Sequence, residues 1–347
     1  MINPVSQWLR NARLALTLSL ALAASMARSE IVLVGGFFSG QVDRVNVATG
    51  ALSNFSTVAT GADPFPGISG LAYNPISNVV YATARVSSRI YFLNPDSGAV
   101  TGFHQLSSTF APAGIAVDRD GFVYVANNAG NSITKFNSGF NKISDIELPN
   151  FGVANNQPNA MAFDSQGKMI ISTFGGAGLM QYDPGTGNVT SFNSANPVAN
   201  GQVAINAAGD VYVGGAAFSS DVTKLNSSGT ITGGIAITES LLPKPPLGFA
   251  SPDFTSPAGV SIDASGNIIV AALGRTNPTS ASDNFQNNGG VFIFSSTGSL
   301  LSSNTQTTPY SSALSFTAVP EPTSMLAATV GIATLGWLRR RRGTAKR

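Results

Sequence analysis

Apolar and polar residues alternate in short bursts along the middle of this chain, and one burst recurs. It reads Gly70-Leu-Ala-Tyr-Asn74, Gly114-Ile-Ala-Val-Asp118, Ala160-Met-Ala-Phe-Asp164, Gln202-Val-Ala-Ile-Asn206 and Gly259-Val-Ser-Ile-Asp263, with starts 44, 46, 42 and 57 residues apart. Large and small side chains alternate within each burst, as in a strand packed on both faces. Four of the bursts run into Asx-x-x-Gly, at Asp118–Gly121, Asp164–Gly167, Asn206–Gly209 and Asp263–Gly266. An Asx side chain bonds backbone inside a tight turn and Gly supplies the positive φ that closes it. A second strand follows each burst, beginning at Val79, Val123, Met169, Val211 and Ile268, and a third begins at Ile90, Ile133, Leu179, Val222 and Val291. A further turn carries Gly98, Gly139, Gly185, Gly229 or Gly298, and a fourth strand ends the unit.

Repeats of 40–50 residues, each with four short strands, predict an all-β propeller. The ends supply the blade count. Residues 31–34 and 41–47 read as second and third strands lacking a first, and residues 312–317 read as a first strand with nothing after it. Joined, they complete a sixth blade, so the predicted fold is a six-bladed β-propeller over residues 31–318 closed by strands from both ends. Closure of this kind removes an exposed sheet edge. A β-sandwich is the competing reading of the same strands.

Composition narrows the setting. Of 347 residues 43% are apolar and 10% charged, with 37 Gly and no Cys. Few charges among many small polar residues suit an extracellular β protein. Without Cys there is no disulfide framework, no thiolate zinc site and no Cys nucleophile. The formal charge of +2 is set by the ends, because ten basic residues face sixteen acidic ones between residues 29 and 319. A body at −6 lacks the basic face of a nucleic-acid reader, so no nucleic-acid partner is expected.

The two ends read as targeting segments. Arg10 and Arg13 precede an apolar run over residues 14–24 and then Ser25-Met26-Ala27, a signal-peptide pattern over residues 1–27 with cleavage expected after Ala27. At the other end, Val319-Pro320-Glu321-Pro322 leads into an uncharged run from 325 to 338 and then Arg339, Arg340, Arg341 and Arg342. The prolines hold the strip around Glu321 extended. The apolar run, about 16 residues from Thr323, is at the short edge of what spans a bilayer. The arginines form a cytoplasmic stop. A plain C-terminal anchor is one reading of residues 319–347.

In order and position these elements resemble the PEP-CTERM sorting signal of Gram-negative bacteria. The resemblance implies an exosortase and the secretion machinery as partners, transient insertion of a C-terminal transmembrane helix in the inner membrane, and delivery to the cell surface or an exopolysaccharide matrix. The repeated body resembles NHL-type repeats, best over Pro112–Phe136. Calcium-dependent lactonases and streptogramin lyases use related propellers. That likeness implies an acid-and-amide set around the channel for the former and a catalytic His for the latter.

Candidate chemistry is sparse. His104 is the sole histidine and falls in a fourth strand. No Gly-x-Ser-x-Gly elbow, P-loop or dinucleotide motif occurs. Glu is limited to Glu30, Glu147 and Glu239 in the body, so a pair of acids would come mostly from Asp. Asp118, Asp164 and Asp263, with Asn74 and Asn206, recur at one blade position and are read as turn residues, with calcium the alternative. No catalytic residue and no cofactor is assigned. The long insertions at 237–258 and 274–290, with 60–67 and 149–158, fall on one face, where Phe249, Phe254, Arg275, Phe285 and Asn287 are the candidate ligand groups. Aromatics beside amides suit sugar rings. The expected function is a surface-sorted, non-enzymatic propeller that binds extracellular polysaccharide or an envelope partner. The alternative is a secreted metal-assisted hydrolase or lyase of lactonase type.

Overall fold

The computed structural model describes residues 30–316 except 38, 59–66, 153–155, 175, 194–199, 216–220, 238–256, 274–288 and 306–309. Residues Ile31–Phe316 form one compact unit. The predicted signal and tail segments, with Pro320, Glu321, Pro322 and Arg339–Arg342, lie outside the described residues. So do Phe249, Phe254, Arg275, Phe285 and Asn287. Among the described residues there is no helix, and none long and apolar enough to cross a membrane.

Among the described residues, twenty-four strands build six four-stranded antiparallel sheets. The chain opens with β1 (Ile31–Gly36), β2 (Gln41–Val45) and β3 (Leu52–Thr57). Blade 2 is β4 (Ile68–Asn74), β5 (Val79–Ala84), β6 (Arg89–Leu93) and β7 (Val100–Gln105). Blade 3 is β8 (Pro112–Val117), β9 (Val123–Asn127), β10 (Ser132–Phe136) and β11 (Lys142–Glu147). Blade 4 is β12 (Pro158–Phe163), β13 (Met169–Thr173), β14 (Leu179–Asp183) and β15 (Asn188–Asn193). Blade 5 is β16 (Val203–Ile205), β17 (Val211–Val213), β18 (Asp221–Leu225) and β19 (Ile231–Ala236). Blade 6 is β20 (Gly259–Ile262), β21 (Ile268–Ala272), β22 (Gly290–Phe294) and β23 (Leu300–Thr305). The last strand, β24 (Tyr310–Phe316), pairs with the first, and the sheet order β24-β1-β2-β3 completes blade 1. Its register sets Val34 opposite Ala313 and Gly35 opposite Ser312. The predicted six blades and the seam made by both ends are therefore present.

Burial falls from the axis outward. Second strands such as β13 and β21 are buried at every position, whereas β11 and β23 alternate or lie open to water. This is why the second strands read as continuous apolar runs and the fourth as polar ones. The core is divided among the seams. One cluster joins Tyr124 and Ile133 of blade 3 to Met161, Met169 and Ile171 of blade 4. Others join blades 2 and 3 around Tyr81 and Phe136, blades 4 and 5 around Ile170 and Val213, blades 5 and 6 around Val222 and Phe292, and blades 6 and 1 around Ile269 and Val34. Tyr73 of blade 2 stacks on Phe316 of blade 1, ring centroids 4.4 Å apart.

At the axis the inner strands meet almost backbone to backbone. A Cβ on Gly114 would sit 2.5 Å from Ala160 Cα and 2.7 Å from the Asn159 carbonyl oxygen, and one on Gly259 would sit 2.8 Å from Ser312 Cα. The residues in register with the second strand at this level are Gly70, Ala160, Gly259 and Ser312. In blade 5 the chain reaches this level at Gln202, and its side chain crosses the ring. Gln202 Nε2 donates to the Ala313 carbonyl at 2.8 Å, and Oε1 accepts from Ala313 N at 2.7 Å and Val260 N at 3.1 Å. These groups lie on the edge that each inner strand turns away from its own sheet, so one amide bridges blades 5, 6 and 1.

Gly114→Ala is expected to lower stability by about 1–3 kcal/mol, the usual range for overpacking, because both neighbours of the new methyl are backbone atoms that cannot rotate away. Urea denaturation measures this, and an unchanged midpoint would mean the inner strands are not in contact. Gln202→Ala is expected to speed hydrogen exchange at the Val260 and Ala313 amides by about tenfold or more, the cost of freeing a bonded group.

Candidate functional site

The two ends of the propeller differ in construction. First-to-second and third-to-fourth turns share one face, the turn face. Second-to-third and blade-to-blade connections share the other, the loop face.

On the turn face the recurring Asx residues are spent on the turns themselves. Asp118 Oδ1 accepts from the N–H groups of Asp120 (3.0 Å) and Phe122 (2.9 Å), and Oδ2 from the Tyr124 hydroxyl (3.1 Å). Asp164, Asn206 and Asp263 repeat the pattern, each Oδ1 taking the N–H groups two and four residues on. The closing glycines Gly121, Gly167, Gly209 and Gly266 all have φ between 79° and 86°. Asn74 opens the corresponding turn of blade 2, where Asn78 takes the left-handed place at φ 53°. In the third-to-fourth turn of blade 3 the left-handed residue is Phe140 (φ 58°) and not the neighbouring Gly139, because Phe140 is pulled inward against Tyr81, Phe92 and Phe136. Burial first, and the Asp118 carboxylate second, push the Tyr124 phenol well above its ordinary pKa. Among the described residues no three His, Asp or Glu side chains converge as a metal-binding group would. Shallow grooves of about 450 and 270 Å³ flank the Asp164 turn, lined by these committed turn residues.

His104 lies in β7, a fourth strand as expected. Its ring leans on Phe136 and Phe140 with centroids 5.6 and 5.3 Å away, and burial lowers its pKa. It stands at the outer rim, away from the axis.

The loop face carries the half-buried guanidinium of Arg85 and the open rings of Phe151 and Phe174. Just past the second strand of blades 2, 3 and 4, one residue bonds through its N–H across to the start of its inner strand: Arg85 to Gly67, Asn128 to Ala111 and Phe174 to Gln157. Arg85 then crosses the seam, Nη2 donating to Asn128 Oδ1 at 2.5 Å. The Asn128 side chain is almost fully buried, and its Nδ2 donates to the Gln157 and Pro158 carbonyls of blade 4, both at 3.3 Å. The Gln157 carbonyl thus takes both the Asn128 amide and the Phe174 N–H, with Gln157 itself held at φ 48°. Backbone conformations of this kind cost of order 1–3 kcal/mol and persist where their surroundings impose them. Phe174 is 37% exposed. Nearby, Asn131 Nδ2 donates to Leu148 O and Asn150 Oδ1, and its Oδ1 accepts from Asn156 N, which pins the loop that presents Phe151 at 40% exposure. One sector, over blades 2 to 4, therefore gathers a guanidinium, several amides and two open aromatic rings.

These residues are not the ones named from the sequence, although loop 149–158 was placed on this face. A positional signal existed. When the six repeats are aligned on their first and second strands, the column just past the second strand holds Phe37, Arg85, Asn128, Phe174, Ala216 and Leu273, and Arg85 is the one ionised member.

The described body is a six-bladed β-propeller with a polar, aromatic mouth on its loop face. No family model matches the chain. No relative is found among curated proteins. Among solved structures, a chain of a nidogen–laminin complex gives a TM-score of 0.61 at 14% identity, covering 84% of this chain and 100% of that one. A protein of unknown function from Bacteroides caccae gives 0.55 at 14%, covering 83% and 99%. A gluconolactonase of Xanthomonas campestris gives 0.51 at 15%, covering 82% and 88%. At such identities the likeness is one of fold. It agrees with the propeller expected from the repeats.

His104 is expected to titrate below the ordinary imidazole value of 6.5. The unfolded chain then binds the proton more readily than the folded one, so the contribution of His104 to stability is present above 6.5 and is lost as pH falls through its lowered folded pKa. Proton NMR of the single imidazole, with urea midpoints across that window for His104→Phe and the parent, checks both parts. A titration at or above 6.5 would contradict the packing.

Proposed function

We propose that the chain is an exported, surface-sorted propeller that does no chemistry and binds extracellular polysaccharide through its loop face. The observation that carries this reading is the sector of Phe151, Phe174, Asn128, Asn131 and Asn150, where open rings stand beside anchored amides. Rings of this kind stack on the apolar faces of sugars, and the amides, spent on internal bonds, fix the strand ends and the loop that present them. Turn-face carboxylates support the same reading, because they serve the backbone and so have little left to offer a substrate or cation. The pattern of basic n-region, apolar run and small-x-small site supports export. The Pro320-Glu321-Pro322 strip, the apolar run and the four arginines support sorting by an exosortase with loss of the tail.

The alternative is a metal-assisted hydrolase or lyase. Its support is the fold shared with the Xanthomonas gluconolactonase, and a fold by itself hosts many activities. The matching chain in the nidogen–laminin structure is part of a complex between two proteins.

Retention of the purified protein on the extracellular polymer of the producing cells tests the binding reading. Phe174→Ala and Phe151→Ala should each weaken retention about two- to tenfold, the worth of one aromatic contact. No retention at low salt, with or without calcium, would overturn it, and turnover of lactones by the purified protein would favour the alternative. Replacing Pro320, Glu321 and Pro322 by Ala should leave the tail attached and the protein in the inner-membrane fraction. Unchanged release would sink the sorting assignment.

A further inference from the structure

Arg85 is held in a way that leaves its charge unspent. Its backbone is fixed where β5 ends, by the bond from its N–H to the Gly67 carbonyl at 2.8 Å. Its guanidinium is half-buried in the seam between blades 2 and 3, and its side chain makes one hydrogen bond, to Asn128 Oδ1. A guanidinium has five N–H donors in a rigid fork, and here the remainder have no partner among the described residues. No carboxylate pairs with it there. Removing a cation from water without a counter-charge is unfavourable, and burial lowers its pKa with nothing opposing that shift.

The other cations of the described body are held differently. Lys142, Lys168 and Lys224 pair with Asp145, Asp183 and Asp210. Arg44, Arg89 and Lys135 lie over Phe55, Phe103 and Phe122 on the outer strands. Arg119 sits exposed in a turn on the opposite face.

The residue that holds Arg85 explains the arrangement. Asn128 fixes the guanidinium through a neutral carbonyl oxygen while its own amide is locked to the Gln157 and Pro158 carbonyls. A carboxylate at the same place would cancel the charge of the fork, and would set an oxygen where the Asn128 N–H now meets the Gln157 and Pro158 carbonyls. An amide positions the fork and leaves the charge available. Beside it, Ser87 Oγ is buried without a partner on the same second-to-third connection.

We propose that this mouth of the blade 2–3 seam is an oxyanion site, with Arg85 as anchor and Asn128 as positioning residue, and that the polymer bound at the loop face is an anionic polysaccharide. The inference rests on the binding function above and specifies its ligand class. A planar carboxylate or a tetrahedral sulfate or phosphate group fits the free side of a guanidinium fork in bidentate fashion. Phe174 is one shared carbonyl away from Asn128 and supplies a ring for the sugar that carries the anion. Because the body as a whole is acidic, long-range attraction does not help such a polymer, and recognition depends on this short-range contact.

The test titrates the full chain, in mild detergent, with a galacturonate hexamer, a sulfated oligosaccharide, inorganic phosphate and a neutral glucose hexamer, followed by calorimetry. Binding of an anionic oligosaccharide at least about tenfold tighter than of the neutral one is expected, with Arg85→Gln removing that preference, as fits the loss of a hydrogen bond to a charged group. Arg85→Lys keeps the charge but loses the fork, and should retain part of the preference. Asn128→Asp is the decisive variant. It replaces the N–H donor to the Gln157 and Pro158 carbonyls by an oxygen and should lower the melting temperature, but in the folded protein it should remove the preference as fully as Arg85→Gln, because an internal anion then occupies the fork. If Arg85 only braced the seam, Asn128→Asp would leave binding intact, and that result overturns the proposal. A preference for the galacturonate hexamer over phosphate and the sulfated sugar identifies a uronate, and the reverse order a sulfate or phosphate ester. Tight binding of the neutral hexamer alone, unaffected by Arg85→Gln, overturns this inference while leaving the binding function standing. Failure of every sugar and of the producer's own polymer overturns both.

Discussion

The fold depends on how closely six inner strands approach one axis. At Gly70, Gly114 and Gly259 there is no room for a Cβ, since backbone atoms of the next blade lie within about 3 Å of where it would sit. This proximity lets side chains on one blade reach carbonyls on the next. Ser69 donates to the Pro112 and Ala113 carbonyls, Asn159 to Asn200, Ser172 to Gly201 and Gln202 to Ala313. Each of these side-chain donors reaches a later blade, and Gln202 Oε1 in turn accepts from the Val260 and Ala313 N–H groups. These bonds satisfy backbone groups that the sheets leave open at the axis, where unpaired buried carbonyls would otherwise be costly.

Much of this was legible in the residues. The apolar bursts, the Asx-x-x-Gly turns and the two orphan ends each follow from local rules: strand alternation, the left-handed turn glycine and the aversion to open edges. Those rules act within a few residues, so one sequence suffices to read them. Gln202 shows where they stop. It stands in the phrase where other blades carry Gly, Ala or Ser, which marks it as an exception, but its span over two further blades depends on the curvature of the ring. Phe140 is similar: a local rule gives the left-handed place to Gly139, and the aromatic packing of blades 2 and 3 moves it one residue on.

The loop-face sector was the least legible part, for a physical reason. Arg85, Asn128 and Phe174 come from three blades, some 43 to 46 residues apart, and the bonds that join them run between seams. Nothing in the local pattern of any one blade distinguishes them except that a charged residue occupies a column otherwise held by neutral ones. The residues named from the long insertions rested on loop length, which indicates where variation is tolerated. The described sector instead draws its order from strand ends, so its geometry is inherited from the rigid sheets. That difference matters for recognition, because a group on a strand end loses little conformational freedom when a ligand arrives.

The pairing of β24 with β1 also has a kinetic side. As the chain emerges from its first residue onward, blade 1 has three of its four strands once Thr57 is made but must wait until Tyr310 before the fourth begins. Until then Val32, Leu33 and Val34 present an open apolar rim, and the half-made ring is a target for any passing strand. The arrival of Ala313 and its neighbours ends that exposure in a single step. A late event at the carboxyl side of Phe316 therefore acts on the one strand that decides whether the molecule is an open arc or a closed wheel.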